Sequence, residues 1–242
     1  MKNNKRLIDL VTEIRSFCAA HADERTAQRY ARYFREGYDP YGVPDKDMHP
    51  QRERWFAENR DLGLAGFLDL GDLLTQDGKY EEASLACFFA ARFRDRFKPA
   101  TFQRIGRWFD AGVRNWAHTD YISGELLGCS LAKGVVGLEA MDRWRRAKSR
   151  WKRRAVPVSM LALLKQGKDC RPLLEFVDPM MLDSERVVHQ GLGWFLREAW
   201  KRQPKPVERF LRRWKDSAAR LIFQYATEKM TAAQKRRFRA EK

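Results

Sequence analysis

Ser184-Glu-Arg-Val-Val-His-Gln-Gly-Leu-Gly-Trp-Phe-Leu-Arg-Glu-Ala-Trp-Lys-Arg202 is the stretch that decides the fold. Val188, Leu192, Phe195 and Ala199 fall at i, i+4, i+7 and i+11, which puts them on one side of a 3.6-residue helix. The same period returns in Val207, Phe210, Leu211 and Trp214. That segment opens near Pro206, a residue suited to a first helical turn. Strand-like alternation is nearly absent, and only 15 Gly and 9 Pro punctuate 242 residues. The longest break, Gly37 to Pro50, is rich in turn residues. The pattern predicts an all-α chain of about a dozen short helices joined by tight loops.

Trp108, Trp151 and Trp194 recur at intervals of 43 residues, inside the ~40–47 residues of a HEAT-type helix pair. The expected architecture is therefore a curved superhelical stack of HEAT-like antiparallel helix pairs. No linker stands out, so residues 1–242 read as one repeat domain with a basic tail from about residue 231.

Composition narrows the function. The chain has 48 Lys+Arg against 32 Asp+Glu, a formal charge of +16. Its 44% apolar and 33% charged residues suit a folded, water-facing protein rather than a disordered or membranous one. No apolar run reaches the ~20 residues of a spanning helix. The N-terminus soon meets Asp9, Glu13 and Arg15 and does not read as a secretory signal. A cytoplasmic protein is expected. Cys18, Cys87, Cys129 and Cys170 are scattered and read as free thiols. His21, His49, His118 and His189 lack ligand spacing, so no metal site is expected. Neither a phosphate-binding loop nor a dinucleotide fingerprint is present.

Charge is uneven. Residues 36–83 carry 12 acids, Asp77 among them, and five bases, while the remainder of the chain is strongly cationic. The densest run, Arg143 to Arg154, holds eight bases in twelve residues, interleaved with Trp144 and Trp151. Any single run of this kind is usually a solvated helix face. Several such runs on one surface repel each other and favour an anionic partner, most commonly a phosphate backbone. An acidic membrane surface is less well matched, because no amphipathic helix with a large exposed apolar face is evident.

Three places could carry chemistry. Trp194 lies about 130° from the centre of its helix's apolar stripe, beside Arg197, and is either covered by another repeat or left for a ligand. Trp116 and Asp120 stand at i and i+4, so on a helix they share a face. A carboxylate beside an indole and apolar neighbours is a candidate for electrostatic or base catalysis, although on residue type alone a helix cap or first-turn acid is the commoner role. Arg153 and Arg154, after Arg150 and Lys152, read as phosphate contacts or as surface charge. Pro157 in the same segment implies a kink or a helix start.

Four ordered pieces resemble a known family: Ala31-Arg-Tyr-Phe-Arg-Glu-Gly-Tyr38, Asn115-Trp-x-x-x-Asp120, Trp151-Lys-Arg-Arg-Ala155 and Gly191-Leu-Gly-Trp-Phe-Leu-Arg-Glu-Ala199. In order and approximate spacing they are similar to the AlkD-like DNA alkylation repair glycosylases, from about Tyr30 to Lys229. The resemblance implies HEAT-like helix pairs and a positively charged groove for duplex DNA. It also implies hydrolysis of the N-glycosidic bond of N3- and N7-alkylated purines without a metal or organic cofactor. By position, Asp120 looks like the catalytic carboxylate, and Trp116 and Trp194 like the aromatic pair at the lesion's deoxyribose. Tyr33 looks like the active-site tyrosine, and Arg154 like a backbone contact. Arg150, Lys152, Arg153 and Arg197 are the remaining candidate DNA-binding residues.

Members of that family are thought to contact the sugar and phosphate without a base pocket. This sequence departs from the family in having Ala117 where a second acid is frequent, in Pro157, and in the turn-rich segment 37–50. The expected partner is duplex DNA carrying alkylated purines, met by a monomer and not by a membrane protein. The alternatives are a non-catalytic HEAT-like module binding damaged or branched DNA, and a protein-interaction solenoid.

Overall fold

The stripe predicted from spacing is a core stripe. Val188, Leu192, Phe195 and Ala199 are completely buried on a helix that runs Arg186–Arg202. The computed structural model describes residues 2–76 and 78–239, so Asp77 and the last three residues of the basic tail lie outside the described residues. Among the described residues there are fifteen α-helices, several short 3-10 turns and no strand. The fold is all-α. No described helix is long and apolar enough to cross a membrane. The chain divides into two compact units, one ending at Tyr121 and the other beginning at Ile122.

The first unit contains α1 (Lys2–Ala20), α2 (Glu24–Ala31), α3 (Asp45–Glu58), α4 (Gly63–Thr75), α5 (Tyr80–Ala91), α6 (Pro99–Ala111) and α7 (Trp116–Tyr121). α4 packs chiefly on α5, and α1 on α4. Ile14, Trp55, Phe67, Leu70, Phe89 and Ile105 are fully buried between them. Each such side chain removed from water stabilises the unit by about 1.5–3 kcal/mol before entropy is counted.

The turn-rich segment after α2 is fastened by carboxylates from α5. Buried Glu81 accepts hydrogen bonds from the amides of Tyr41, Gly42 and Val43 at 2.9, 2.8 and 3.3 Å. Its neighbour Glu82 accepts from the Tyr41 hydroxyl at 3.0 Å and from Arg15 at 2.9 Å. Gly42 adopts φ +82°, and a Cβ there would lie 2.2 Å from the carbonyl oxygen of Asp23. The segment therefore lacks regular structure and is nonetheless closely held.

The second unit begins with a π-helical turn, Ile122–Leu127, followed by α8 (Gly128–Ala132), α9 (Arg150–Ser159), α10 (Leu161–Lys165), α11 (Cys170–Val177), α12 (Arg186–Arg202), α13 (Pro204–Trp214), α14 (Arg220–Ala226) and α15 (Ala232–Arg236). α12 is its centre, packing on α9 and α14. Gly193 permits the second contact, since a Cβ there would stand 2.4 Å from that of Tyr225. Pro157 neither starts nor divides α9. It sits inside the last turn, and the helix stops two residues later at Ser159. The basic tail is ordered as α15, followed by the buried ring of Phe238, whose carbonyl accepts from Arg220 at 2.9 Å.

Both units use one clasp repeatedly: an indole N–H and an arginine converge on a single acid of another helix. Trp55 and Arg54 meet Glu13, and Trp108 and Arg104 meet Asp72, with indole-to-carboxylate distances of 2.7 Å in each case. Trp214 donates to Asp178 at 2.8 Å, and Arg213 pairs with the same carboxylate. A buried indole needs such an acceptor, and an ionised one makes the stronger bond.

Candidate active site

α7 is only six residues long, and its start is set by Asn115. The side-chain oxygen of Asn115 accepts from the amide of His118 at 2.9 Å, the bond of an N-terminal cap. Its amide nitrogen donates to the carbonyl of Gly37 and to Nδ1 of His118, each at 3.0 Å. Asn115 thus caps the helix and ties it to the start of the turn-rich segment. Asp120, the fifth residue of α7, lies beyond the capping positions.

His118 is buried beneath the helix. Its Nε2 is 2.9 Å from the Ser84 hydroxyl, which itself donates to the carbonyl of Tyr80 at 2.8 Å. With Nδ1 accepting from Asn115, the network is consistent only with a neutral ring carrying its proton on Nε2. The ring stacks on Tyr80 at 4.5 Å. Burial pushes its pKa down to about 4.

Trp116 leads α7 and is 41% exposed. Its indole N–H donates to the carbonyl of Tyr33 at 3.0 Å. Its ring stacks on Phe34 at 5.4 Å, and Phe34 stacks on Tyr38 at 4.3 Å. Tyr80 meets both Phe34 and Tyr38 edge-on. The indole is therefore the outer plate of an aromatic pile whose inner plates are fixed. Tyr33 is also exposed, with Arg32 donating to its hydroxyl at 2.8 Å and lying over its ring. Asp120 is half-buried one turn beyond Trp116, on the same helix face. The structure thus gathers Tyr33, Trp116 and Asp120 within one unit. An exposed π-face with a carboxylate four residues on along the same helix suits a group that becomes cationic.

The other sequence candidates belong to the second unit. Trp194 is half-buried on α12, between the covered and the open alternatives. At the start of α9, Ser149 caps the helix through the amide of Lys152. Lys152 places its ammonium 5.1 Å from the Trp144 ring centre, and Arg150 reaches Glu185 at 3.5 Å. Arg153 is held by Asp183 at 2.6 Å and by the carbonyl of Ala147 at 2.7 Å. Arg154 is buried, donates to the carbonyl of Val187 at 2.7 Å, and lays its stem against Gly191. Arg197 pairs with Glu198 and Glu228.

Several participants carried no sequence signal as site residues. Phe34, Tyr80 and Ser84 act through packing across 30 to 80 positions of chain and have no local mark. Asn115 did have one: an Asn three residues ahead of His118 has the spacing of a cap and its third helical residue. Among the described residues no cluster of three or more His, Cys, Asp or Glu could hold a metal ion. All four cysteines are free thiols.

An all-helical chain with an aromatic and carboxylate face on a short capped helix defines a class, and comparison with known proteins supplies the family. Residues 14–230 match the family described as DNA alkylation repair enzyme, and the chain belongs to that family. A solved structure described as a predicted DNA alkylation repair enzyme from Enterococcus faecalis is similar in fold, with a TM-score of 0.71 at 17% identity. The match covers 88% of this chain and 98% of that one. No curated protein matches the sequence.

Proposed function

We propose that this protein is a DNA glycosylase hydrolysing the N-glycosidic bond of N3- and N7-alkylated purines in duplex DNA. The observation that carries this reading is an exposed indole, Trp116, fixed in position by Tyr33 and Phe34, with Asp120 four residues on along the same helix. An alkylated purine bears positive charge, so it departs with the electron pair of its bond to C1′ and leaves as a neutral base. The sugar then gains oxocarbenium character. Asp120 stabilises that charge and orients the water that adds at C1′, taking up its proton. The face of Trp116 adds cation–π attraction.

Duplex DNA is the proposed partner of a monomer. Arg150, Lys152, Arg154 and Tyr33 are assigned to its backbone. Arg153 and Arg197, both engaged by carboxylates, contribute to the cationic field and hold α9 and α12 in place. The helix pairs of the two units are read as HEAT-like repeats of one domain. The experiment is incubation of the protein with duplex containing 7-methylguanine, followed by detection of free base and abasic sites. Release of the base supports the reading, and intact substrate at excess enzyme rejects it in favour of a non-catalytic DNA-binding module.

A further inference from the structure

Two glycines of α12, Gly191 and Gly193, each admit a side chain from a neighbouring helix. A Cβ on Gly191 would stand 3.2 Å from the stem of Arg154 on α9, and one on Gly193 would stand 2.4 Å from the Cβ of Tyr225 on α14. An arginine and a phenol are thereby seated against the same helix from two different neighbours. Arg154 donates to the carbonyl of Val187 at 2.7 Å, and the Tyr225 hydroxyl accepts from the side-chain amide of Gln190 at 2.8 Å. Val187, Gln190, Trp194 and Arg197 fall at i, i+3, i+7 and i+10 and are all half-buried, so they form the face of α12 that its core stripe leaves open.

Two donors on this face have no acceptor among the described residues. The Tyr225 hydroxyl takes the Gln190 amide on a lone pair, so its own proton points elsewhere and is received by no described group. The indole N–H of Trp194 is in the same state. By contrast, Trp55, Trp108, Trp116, Trp200 and Trp214 each donate to an oxygen. Beyond Trp194, Arg197 pairs with Glu228 of α14, which ties the two helices together on that side as well.

Charge indicates the acceptor. Residues 122–242 hold 28 Lys+Arg and 13 Asp+Glu, a net of +15 out of +16 for the whole chain. Nearly all of the field that draws a polyanion therefore originates in the unit built around α12. Tyrosine hydroxyls are among the ordinary neutral donors to phosphate oxygens. We propose that Tyr225 donates its hydroxyl proton to a backbone phosphate of duplex DNA lying along the open face of α12, as the uncharged counterpart of Arg154. The proposal rests on duplex DNA as the partner and not on the chemistry assigned to Asp120. A neutral donor displaces no condensed counterion, so it adds affinity without adding salt dependence.

The test is fluorescence anisotropy of the full chain and of Tyr225→Phe on undamaged duplex over a range of salt concentrations, with thermal unfolding to check that the variant folds. Duplexes each carrying one neutral methylphosphonate locate the phosphate, and excision of 7-methylguanine is followed in parallel. Tyr225→Phe should weaken binding about three- to tenfold with the salt slope kept, and one methylphosphonate should cost the wild type more than the variant. Equal affinity of the two proteins, a slope lowered by about one, or no phosphate at which the variant loses less would each overturn the contact. Failure of the wild type to bind duplex would reject DNA as the partner, and the contact with it. Tyr225-dependent binding without excision would leave the contact standing and reject the glycosylase reading instead.

Discussion

The indole nitrogen of Trp116 and the carbonyl oxygen of Tyr33 are joined by a 3.0 Å hydrogen bond that spans 83 positions of sequence. It makes the two exposed aromatic residues of the candidate site parts of one assembly. Trp116→Phe keeps an aromatic face but deletes this donor and leaves the Tyr33 carbonyl without it. The expected cost is about 1 kcal/mol in stability and a several-fold loss of excision, with a greater loss for Trp116→Ala. Urea unfolding and single-turnover kinetics on the same preparations measure both.

Asp120→Asn preserves size and helix face while removing the negative charge. It should fold and bind duplex as the wild type does, yet lose excision by about 10²–10³-fold, the effect of removing one electrostatic stabiliser. Retained excision would reassign the carboxylate to a structural role.

His118 gives a pH signature of folding. Its ring is held neutral, with a pKa near 4 in the folded chain against 6.5 for the free side chain. The unfolded chain therefore takes up the proton first as pH falls. Stability should decline from pH 6.5 toward pH 4 by up to about 3 kcal/mol and level off below. His118→Gln should flatten this decline, as read from urea midpoints at pH 7, 5.5 and 4.5.

Lys152, at the cationic start of α9, is assigned to a phosphate. Lys152→Ala should lower the slope of log K against log salt by about 0.9 with little change in the unfolding midpoint. Arg154→Ala should weaken binding too, but with a loss of stability, because its buried stem and its bond to Val187 also disappear. Comparing salt series with melting curves separates the two behaviours.

Asp72→Ala tests the indole clasp. It strands the N–H of the buried Trp108 and leaves Arg104 with Asp69 as its remaining acid here. A destabilisation of about 1–3 kcal/mol is expected, whereas Asp69→Ala, which loses only one exposed arm of the same arginine, should cost under about 1 kcal/mol. Denaturant titration of the two variants provides the comparison.

The helices were legible because burial imposes a period on local sequence: the stripes on α12 and α13 are buried as spaced, apart from half-buried Trp214. Beyond Tyr121 the turn Ile122–Leu127 is π-helical, so the 100° per residue of an α-helix does not carry across it. Nothing in the residue types there announces the wider turn. Charge was legible as a sum but not as pairs. Arginines such as Arg104 and Arg153 are matched to acids 30 or more positions away, a relation that only the fold creates. The aromatic pile behind Trp116 was hidden for the same reason.

Glu81 has a consequence for what this chain can become. Its carboxylate accepts from three successive amides, and it reaches them only if the stretch from Gly37 to Pro44 keeps its present length. Losing or gaining one residue there would strand an ionised group in the interior, at about 3–5 kcal/mol. Loops ordinarily drift freely in length; this one is expected to change by substitution and to resist insertion and deletion.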